Sequence, residues 1–535
     1  MSIQMETQDY NCMFLGMTPT QIVCNETSER LCTSSDCIRA ASYLLESMDF
    51  RIDPCEDFYE FTCGNWAKYH TRLDSVTRWS WYDIITKRVE HAIRAFLKSK
   101  PAAYESKVIG HCRTMYESCM KLNTSDDQME SGRRRAKELL KEYCFPYIHK
   151  EDRNCTFDWK ATLEKVYTFL GQLTFRSVNI YSPGIQKKVQ HYIDFLQPYE
   201  TIAIDNPNGL QSFIWWMVID NLIGSIRFNY NIYYRNISIN QSNQCAQLVN
   251  DRMGMFLGEV IAMPIFLNET KPKLLNSFEE IRSAFNELVE NSDWMDQPTK
   301  RAVIEKSQAM KVNIGFAEFL LNKTKVDEYL KDFNFTNSSF LVNEHMIAMG
   351  HLQFPFYGLG IEALNYGVAI STLGHEFVHG FGKVKDGWTN QTENEYRNRA
   401  NCFLEQYKNF DISEIDQAIN GTVNGTRTLD ENIADTVGLL LAYKAYKIFI
   451  KKHGEEEILP AFQTFTPEQL FFIGYGNSYC ASATPEELMR SNANDEHSLE
   501  KFRVNGVVSN LEEFRATFKC KANSKMVSKN PCRIW

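Results

Sequence analysis

The sequence predicts a mainly α-helical protein of two or three domains, and three observations carry that expectation. At 535 residues the chain exceeds what one compact core holds. Apolar residues recur at three- and four-residue spacing through much of its length, while Asn343 to Phe356 is the stretch that reads as extended. Its 44% hydrophobic and 23% charged residues are the proportions of an ordinary soluble globular protein. A net charge of −9, with no long basic run, argues against nucleic acid or an anionic membrane as the main partner.

Residues 1–50 read as a stalk or arm, with Cys12, Cys24, Cys32 and Cys37 among polar residues. Helical periodicity begins near Ile38 to Leu45, and Asp53-Pro54-Cys55-Glu56-Asp57-Phe58-Tyr59 combines a turn with aromatics. From about 80 to 275 the pattern is mainly helical, as in Lys188 to Leu196, and it continues in Ser277 to Leu288. Ser292 to Ile314 reads as another helix, with Asp296 or Gln297 near its start. The extended stretch, interrupted by Gly350 and Pro355, would offer backbone groups to a peptide lying beside it. Ala363 to Phe381 suits a helix, and so does the run from Thr428 to Ile450, which Lys451, Lys452, His453 and Gly454 close. Phe502 to Phe518 is mixed in character. These readings divide the chain into an arm at 1–50, a catalytic domain at 51–80 plus 276–535, and a helical cap domain at 81–275.

Fifteen cysteines, scattered singly and without a Cys-x-x-Cys pair, favour disulfides and an oxidising compartment. Twelve Asn-x-Ser/Thr acceptors are an independent sign of secretion: Asn25, Asn123, Asn154, Asn236, Asn240, Asn268, Asn322, Asn334, Asn337, Asn390, Asn420 and Asn424. Met1 to Thr20 is polar and lacks the features of a signal peptide. The most apolar window, Phe213 to Ile219, is broken by Asp220 and Asn221 and is too short to span a bilayer. The expectation is an extracellular or cell-surface ectodomain, any signal or membrane anchor lying in a segment absent from this chain.

The chemistry centres on His375-Glu376-Phe377-Val378-His379. On a helix, residues four apart share a face, so His375 and His379 can present two imidazoles to one metal ion. Glu376 then stands beside the metal, where a base acting on water belongs. A catalytic zinc wants a third protein ligand and an open position. Glu431 is the best candidate, and Asp435, one turn on, can take a ligand histidine's distal N–H. The competing reading is a capping box, since Thr428-x-x-Glu431 also matches that pattern.

Taken together, His375 to Phe381, Glu431-Asn432-Ile433-Ala434-Asp435, Glu496-His497-Ser498 before Phe502-Arg503-Val504, and terminal Cys532-Arg533-Ile534-Trp535 resemble the neprilysin-like family of zinc endopeptidases. Asp53 to Tyr59 and Cys63-Gly64-Asn65-Trp66 match the start of that family's ectodomain, and the resemblance runs from about Cys32 to Trp535. It implies a two-domain gluzincin, whose thermolysin-like catalytic domain pairs the zinc helix with a small sheet beneath a helical cap. It also implies one Zn2+ per chain, with His375, His379 and Glu431 as ligands, Glu376 as catalytic base and Asp435 orienting a ligand histidine. By the same resemblance His497 stabilises the transition state and Arg503 holds a substrate carbonyl. Phe356 walls the pocket for the residue after the cut bond, and Arg78 holds a peptide's C-terminal carboxylate.

The implied disulfides are Cys32–Cys37, Cys55–Cys520, Cys63–Cys480, Cys119–Cys245, Cys144–Cys155 and Cys402–Cys532. Cys12, Cys24 and Cys112 remain, and the resemblance admits a disulfide-linked dimer through one of them. The implied activity is hydrolysis of short peptides on the amino side of hydrophobic residues. The alternative is a catalytically weakened peptide-binding or decoy ectodomain. Four departures from the family bear on that choice. The region from about 200 to 245 is shortened, Gly382 stands where the family has an acid, and the family's substrate-binding Asn-Ala segment has only Asn334 or Asn337 near it. Thr372 and Tyr479 replace a bulkier or more apolar pocket lining.

Overall fold

The computed structural model describes residues 13–14, 22–23, 30–101, 105, 107–121, 241–261, 266–315, 322, 324–325, 345–348, 352, 354–381 and 388–535. Gly382, the Cys144–Cys155 pair, Cys12, Cys24, Asn334, Asn337, the Lys188–Leu196 periodicity and residues 200–240 of the shortened 200–245 region lie outside them. The chain forms two compact units. Unit 1 comprises Met1–Ile85, Leu267–Ile314 and Ile347–Trp535, and unit 2 comprises Thr86–Phe266 and Gly315–Met346.

Unit 1 starts earlier than the arm reading expected. Helix α1 (Ser35–Ser47) is capped by Ser34, whose hydroxyl accepts from the Cys37 N–H, and it buries Cys37, Ala40, Ala41 and Leu44. Leu31 pairs with Ile458 in a β-bridge, so this segment belongs to the body of the unit. Helix α2 (Phe58–Cys63) is capped by Asp57. Strand β1 (Arg78–Ser80) leads directly into helix α3 (Trp81–Lys98), which continues from unit 1 into unit 2. Within unit 2, helices α4 (Lys107–Lys121) and α5 (Gln241–Ile261) are tied by Cys119–Cys245.

Back in unit 1, helix α6 (Lys271–Asn291) buries Leu274, Phe278, Ile281, Phe285 and Val289, the three- and four-residue spacing of a core-facing stripe. Helix α7 (Gln297–Ala309) follows. Asp296 is its cap, accepting from the Thr299 N–H at 2.9 Å, which resolves the two starts the sequence left open. Strands β2 (Val312–Gly315) and β3 (His345–Ala348) form a two-stranded sheet, while Phe354 to Phe356 lie in a turn, so the extended pattern does not reach Phe356.

The run from 362 to 379 is not one uniform helix. A turn at Glu362–Asn365 passes through a π-helical turn at Tyr366–Ile370 into helix α8 (Ser371–His379). The Ser371 hydroxyl is within 2.7 and 2.8 Å of the Gly367 and Val368 carbonyls of the wider turn. Helix α9 (Asn390–Lys408) is capped by Thr389. Helix α10 (Leu429–His453) ends at Gly454, where φ is 87°. Every residue from Glu431 to Leu439 is buried, so the first half of α10 is enclosed on all sides, whereas Lys447 and Lys451 to His453 toward its end are exposed.

Helix α11 (Pro467–Ser478) begins with a full capping box between Thr466 and Gln469. Strand β4 (Ala481–Ala483) pairs antiparallel with β1, Arg78 opposite Ala483, and helix α12 (Glu500–Val508) follows. Cys55–Cys520, Cys63–Cys480 and Cys402–Cys532 tie the early and middle chain to its end, while Cys32–Cys37 is local. Cys112 is a free thiol buried in α4, so an interchain bridge through it is sterically closed. Among the described residues no helix is long and apolar enough to cross a membrane.

Candidate active site

Helices α8 and α10 pack backbone against backbone through two glycines. A Cβ on Gly374 would stand 2.6 Å from the Gly438 carbonyl oxygen, and one on Gly438 would stand 2.5 Å from the His375 nitrogen. Those separations are below any van der Waals contact, so only glycine permits the approach. The approach sets His375 and His379 of α8 against Glu431 and Asp435 of α10.

At the centre, His375 Nε2 is 3.1 Å from Glu431 Oε2 and 3.0 Å from His379 Nε2, and His379 Nε2 is 3.4 Å from the same carboxylate oxygen. His497, from the loop before α12, brings its Nε2 to 3.1 Å of that oxygen as well. Three imidazole nitrogens thus surround Glu431 Oε2, yet this oxygen is buried and makes no hydrogen bond. Thr428 does not form the capping box either. Its hydroxyl oxygen accepts from Asn432 Nδ2 at 2.9 Å and lies 3.2 Å from the Asn424 carbonyl, and Glu431 is left to face the histidines.

Asp435 completes the arrangement. Its Oδ1 lies 2.8 Å from His375 Nδ1, and its two oxygens accept from Arg503 Nη2 and Nε at 2.7 and 2.8 Å. With Asp435 accepting the hydrogen bond from Nδ1–H, the lone pair of a neutral His375 ring would lie on Nε2, toward Glu431. Burial lowers the pKa of His375, but Asp435 and Glu431 outweigh it and hold the ring up to about 9 when only these protein groups face it. Burial raises Glu431 and Asp435. The three histidines draw Glu431 well below the carboxylate range, and Arg503 with His375 does the same for Asp435.

This donor set fits a zinc ion. Ligands about 2.1 Å from a tetrahedral zinc stand roughly 3.4 Å from one another, close to the 3.0–3.4 Å separations here. His375, Glu431 and His497 by themselves form a group able to hold a metal ion, so the cluster has one imidazole beyond the His375, His379 and Glu431 set named from sequence. Glu376 is half-buried on α8, one residue on from His375.

Sequence reading missed the groups that hold these residues. Asp495 accepts from both the backbone N–H and the Nδ1 of His497 at 2.9 Å, and that bond keeps the Asp495 carboxyl down at about 2. Ser498 donates to Asn432 Oδ1 at 2.7 Å, fastening the His497 loop to α10. Asp495-x-His497 and the asparagine after Glu431 were visible as polar residues at fixed offsets, but nothing in the sequence pairs Asn432 with Ser498.

The remaining sequence candidates lie at the rim. The Phe356 ring is buried against Tyr82 at 4.6 Å between centroids, and the Arg503 guanidinium lies 4.9 Å over the Tyr479 ring. Arg78 is paired with Glu500 through Nη2, and its Nε is buried with no partner.

Two models of peptidase family M13 match the sequence, one over residues 54–200 and 153–317, the other over 337–534. The chain belongs to peptidase family M13. Neprilysin of Mus musculus is 24% identical over 703 aligned residues, covering 94% of this chain and 93% of that protein. The endothelin-converting enzyme homolog of Locusta migratoria is 22% identical, with coverage of 95% and 94%. An alignment of 703 positions against a chain of 535 residues leaves at least 168 positions facing no residue here, as expected of a shortened member.

Among solved structures, an inhibitor complex of a zinc metalloprotease from Mycobacterium tuberculosis superposes with a TM-score of 0.63 at 15% identity, covering 92% of this chain and 98% of that one. PepO from Lactobacillus rhamnosis gives 0.62 at 14% identity, covering 89% and 98%. These likenesses show the mainly helical, two-domain gluzincin fold. Membership of M13 supports a zinc metallopeptidase, and zinc is the metal it implies.

Proposed function

We propose that this M13 member is a zinc-dependent endopeptidase of the cell surface or extracellular space, hydrolysing short peptides on the amino side of hydrophobic residues. The observation that carries the proposal is the buried Glu431 oxygen, faced by three imidazole nitrogens and bonded to none, beside Glu376. His375, His379 and Glu431 would hold the ion, which when bound supplies Lewis acidity to the scissile carbonyl and the attacking water.

The chain's own residues do the rest. Glu376 accepts a proton from the attacking water and passes it to the leaving nitrogen. Asp435 fixes the His375 ring through Nδ1 and leaves Nε2 as the donor atom. A catalytic zinc needs only three protein ligands, so His497 is assigned to the tetrahedral species instead. Its Nδ1 is anchored by Asp495, and Nε2–H is the group offered to the developing oxyanion, a contribution of roughly 3 kcal/mol in comparable sites. Arg503 is fixed by its Nε and Nη2 on Asp435, and Nη1, which is outside that fork, is assigned to a substrate carbonyl. Phe356 is assigned to the wall of the pocket for the residue following the cut bond. Disulfides at Cys32–Cys37, Cys55–Cys520, Cys63–Cys480, Cys119–Cys245 and Cys402–Cys532, with exposed acceptor residues Asn268, Asn390, Asn420 and Asn424, support the extracellular setting.

The test is digestion of a mixed peptide library by zinc-loaded, oxidised protein, with and without chelator, beside Glu376→Gln. Cleavage should disappear with chelator, return with added zinc, and fall at least about 100-fold in Glu376→Gln. Zinc bound near one per chain without any cleavage would favour a peptide-binding ectodomain instead.

A further inference from the structure

Arg78, the residue assigned from sequence to a peptide's C-terminal carboxylate, already has a carboxylate. Strand β1 holds it against β4, and its Nη2 pairs with Glu500, the first residue of α12. Glu500 stands three residues after His497 and three before Arg503, so Glu500 and Arg503 share one face of α12. Both members of the pair are partly open, with side-chain exposures of 35% for Arg78 and 19% for Glu500. Tyr82, whose ring meets Phe356, feels the charges of Arg78, Glu500, Arg503 and Asp435 together, which sets the pair in the neighbourhood of the donor cluster. Asp83 and Asp495 also act on Arg78. One guanidinium therefore answers to three carboxylates, of which Glu500 is the one it pairs with directly.

We infer that Glu500 closes Arg78 to free peptide C-termini, so that the substrates are peptides whose chain continues past Arg78 or ends there as an amide. The inference rests on the peptidase reading above and narrows its substrate class. A terminal carboxylate reaching Arg78 has to displace Glu500 and then lie near Asp83 and Asp495. A continuing backbone or a terminal amide carries no charge and meets neither obstacle.

The test uses peptides that share one cleavable bond and end at successive residues beyond it, each made as free acid and as amide. Their binding to zinc-loaded Glu376→Gln protein is measured by calorimetry, and their kcat/KM on the otherwise native protein. At the length whose end meets Arg78, the amide should bind roughly fivefold tighter than the acid, and the contrast should fade as the peptides lengthen. Glu500→Gln, checked for unchanged thermal unfolding, should abolish or reverse the contrast, and adding Arg78→Gln should leave acid and amide alike. Acids bound as well as amides at every length, or an amide preference unmoved by Glu500→Gln, would overturn the inference. Cleavage without the contrast sinks this inference and spares the peptidase reading. A Glu500-dependent contrast without cleavage supports the role of the pair and sinks the peptidase reading.

Discussion

The centre of the site and its rim are held in different ways. At the centre, Asp435 receives His375 from α8 and Arg503 from α12, and Asn432 joins α10 to the His497 loop through Ser498. Two stretches distant in sequence, α8 and the His497 loop with α12, are thereby locked to one helix, with buried groups that leave little room for rearrangement. At the rim, Arg78 and Glu500 meet in a partly open pair, and Phe356 and Tyr82 meet ring to ring. The difference teaches where chemistry and selectivity reside. Substitutions at the centre should change metal affinity and fold together, whereas substitutions at the rim should change which peptides are accepted.

The strongest way to break that contrast is Asp435→Asn. The variant keeps the shape of the side chain but leaves Arg503, buried to 16% side-chain exposure, without an anionic partner. Loss of one partner of a buried pair costs about 3–5 kcal/mol, and loss of the histidine's orienting acid lowers metal affinity roughly 10–100-fold. Chemical denaturation and zinc titration should register both losses. A stable variant with unaltered zinc affinity would show that the centre is not held as described. Gly438→Ala comes next. Its methyl would press on the His375 backbone, so overpacking of about 1–3 kcal/mol is expected. Zinc retention should fall with it, since parting α8 from α10 parts His375 from Glu431.

These two cases also mark what was legible from sequence. His375-Glu376-x-x-His379 lies on one helical face whatever the fold, so its spacing could be read directly. Capping residues such as Asp296, and the α10 stop at Gly454, are equally local and readable. Gly374 and Gly438 are 64 positions apart in the chain, and their need for glycine arises only where two helices touch. Glu431 is instructive because its local pattern was misleading. Thr428-x-x-Glu431 fits a capping box, but Asn432 takes the threonine hydroxyl and the carboxylate turns to the histidines. The π turn at Tyr366–Ile370 keeps the apolar pattern of a helix, so periodicity alone passes over it. Arg78 was singled out as a substrate residue, yet its pairing with Glu500 depends on β1 meeting β4, a long-range event that no local signal encodes.

Ser498→Ala sharpens the comparison at smaller scale. It removes the donor to buried Asn432 Oδ1, a loss of about 1–2 kcal/mol. The His497 loop is freed while His375 of α8 stays fastened to α10 by Asp435. Zinc content by elemental analysis should be unchanged, and kcat should fall more than KM rises. Equal loss of zinc and activity would place Ser498 in the structural centre instead.

The smallest effect expected is Asp296→Ala, a substitution away from both centre and rim. Asp296 caps α7 and accepts hydrogen bonds from Thr299 N–H at 2.9 Å and Thr392 at 3.0 Å, with Thr389 also bonded to it. Burial raises its pKa, but these donors outweigh that effect and hold it down at about 2, against an ordinary 3.8. The folded value is therefore the lower one, so the carboxylate adds stability that is fully present above the unfolded pKa. That stability is lost as pH falls from about 4 toward about 2. At neutral pH, Asp296→Ala should cost about 1 kcal/mol, the usual value of a helix cap. The gap between native and variant protein in urea unfolding should narrow across that acidic window, while zinc content and acid–amide selectivity at neutral pH stay as they were. A gap that holds constant down to pH 2 would mean that the cap contributes through shape alone, and a change in selectivity would extend the rim to α7.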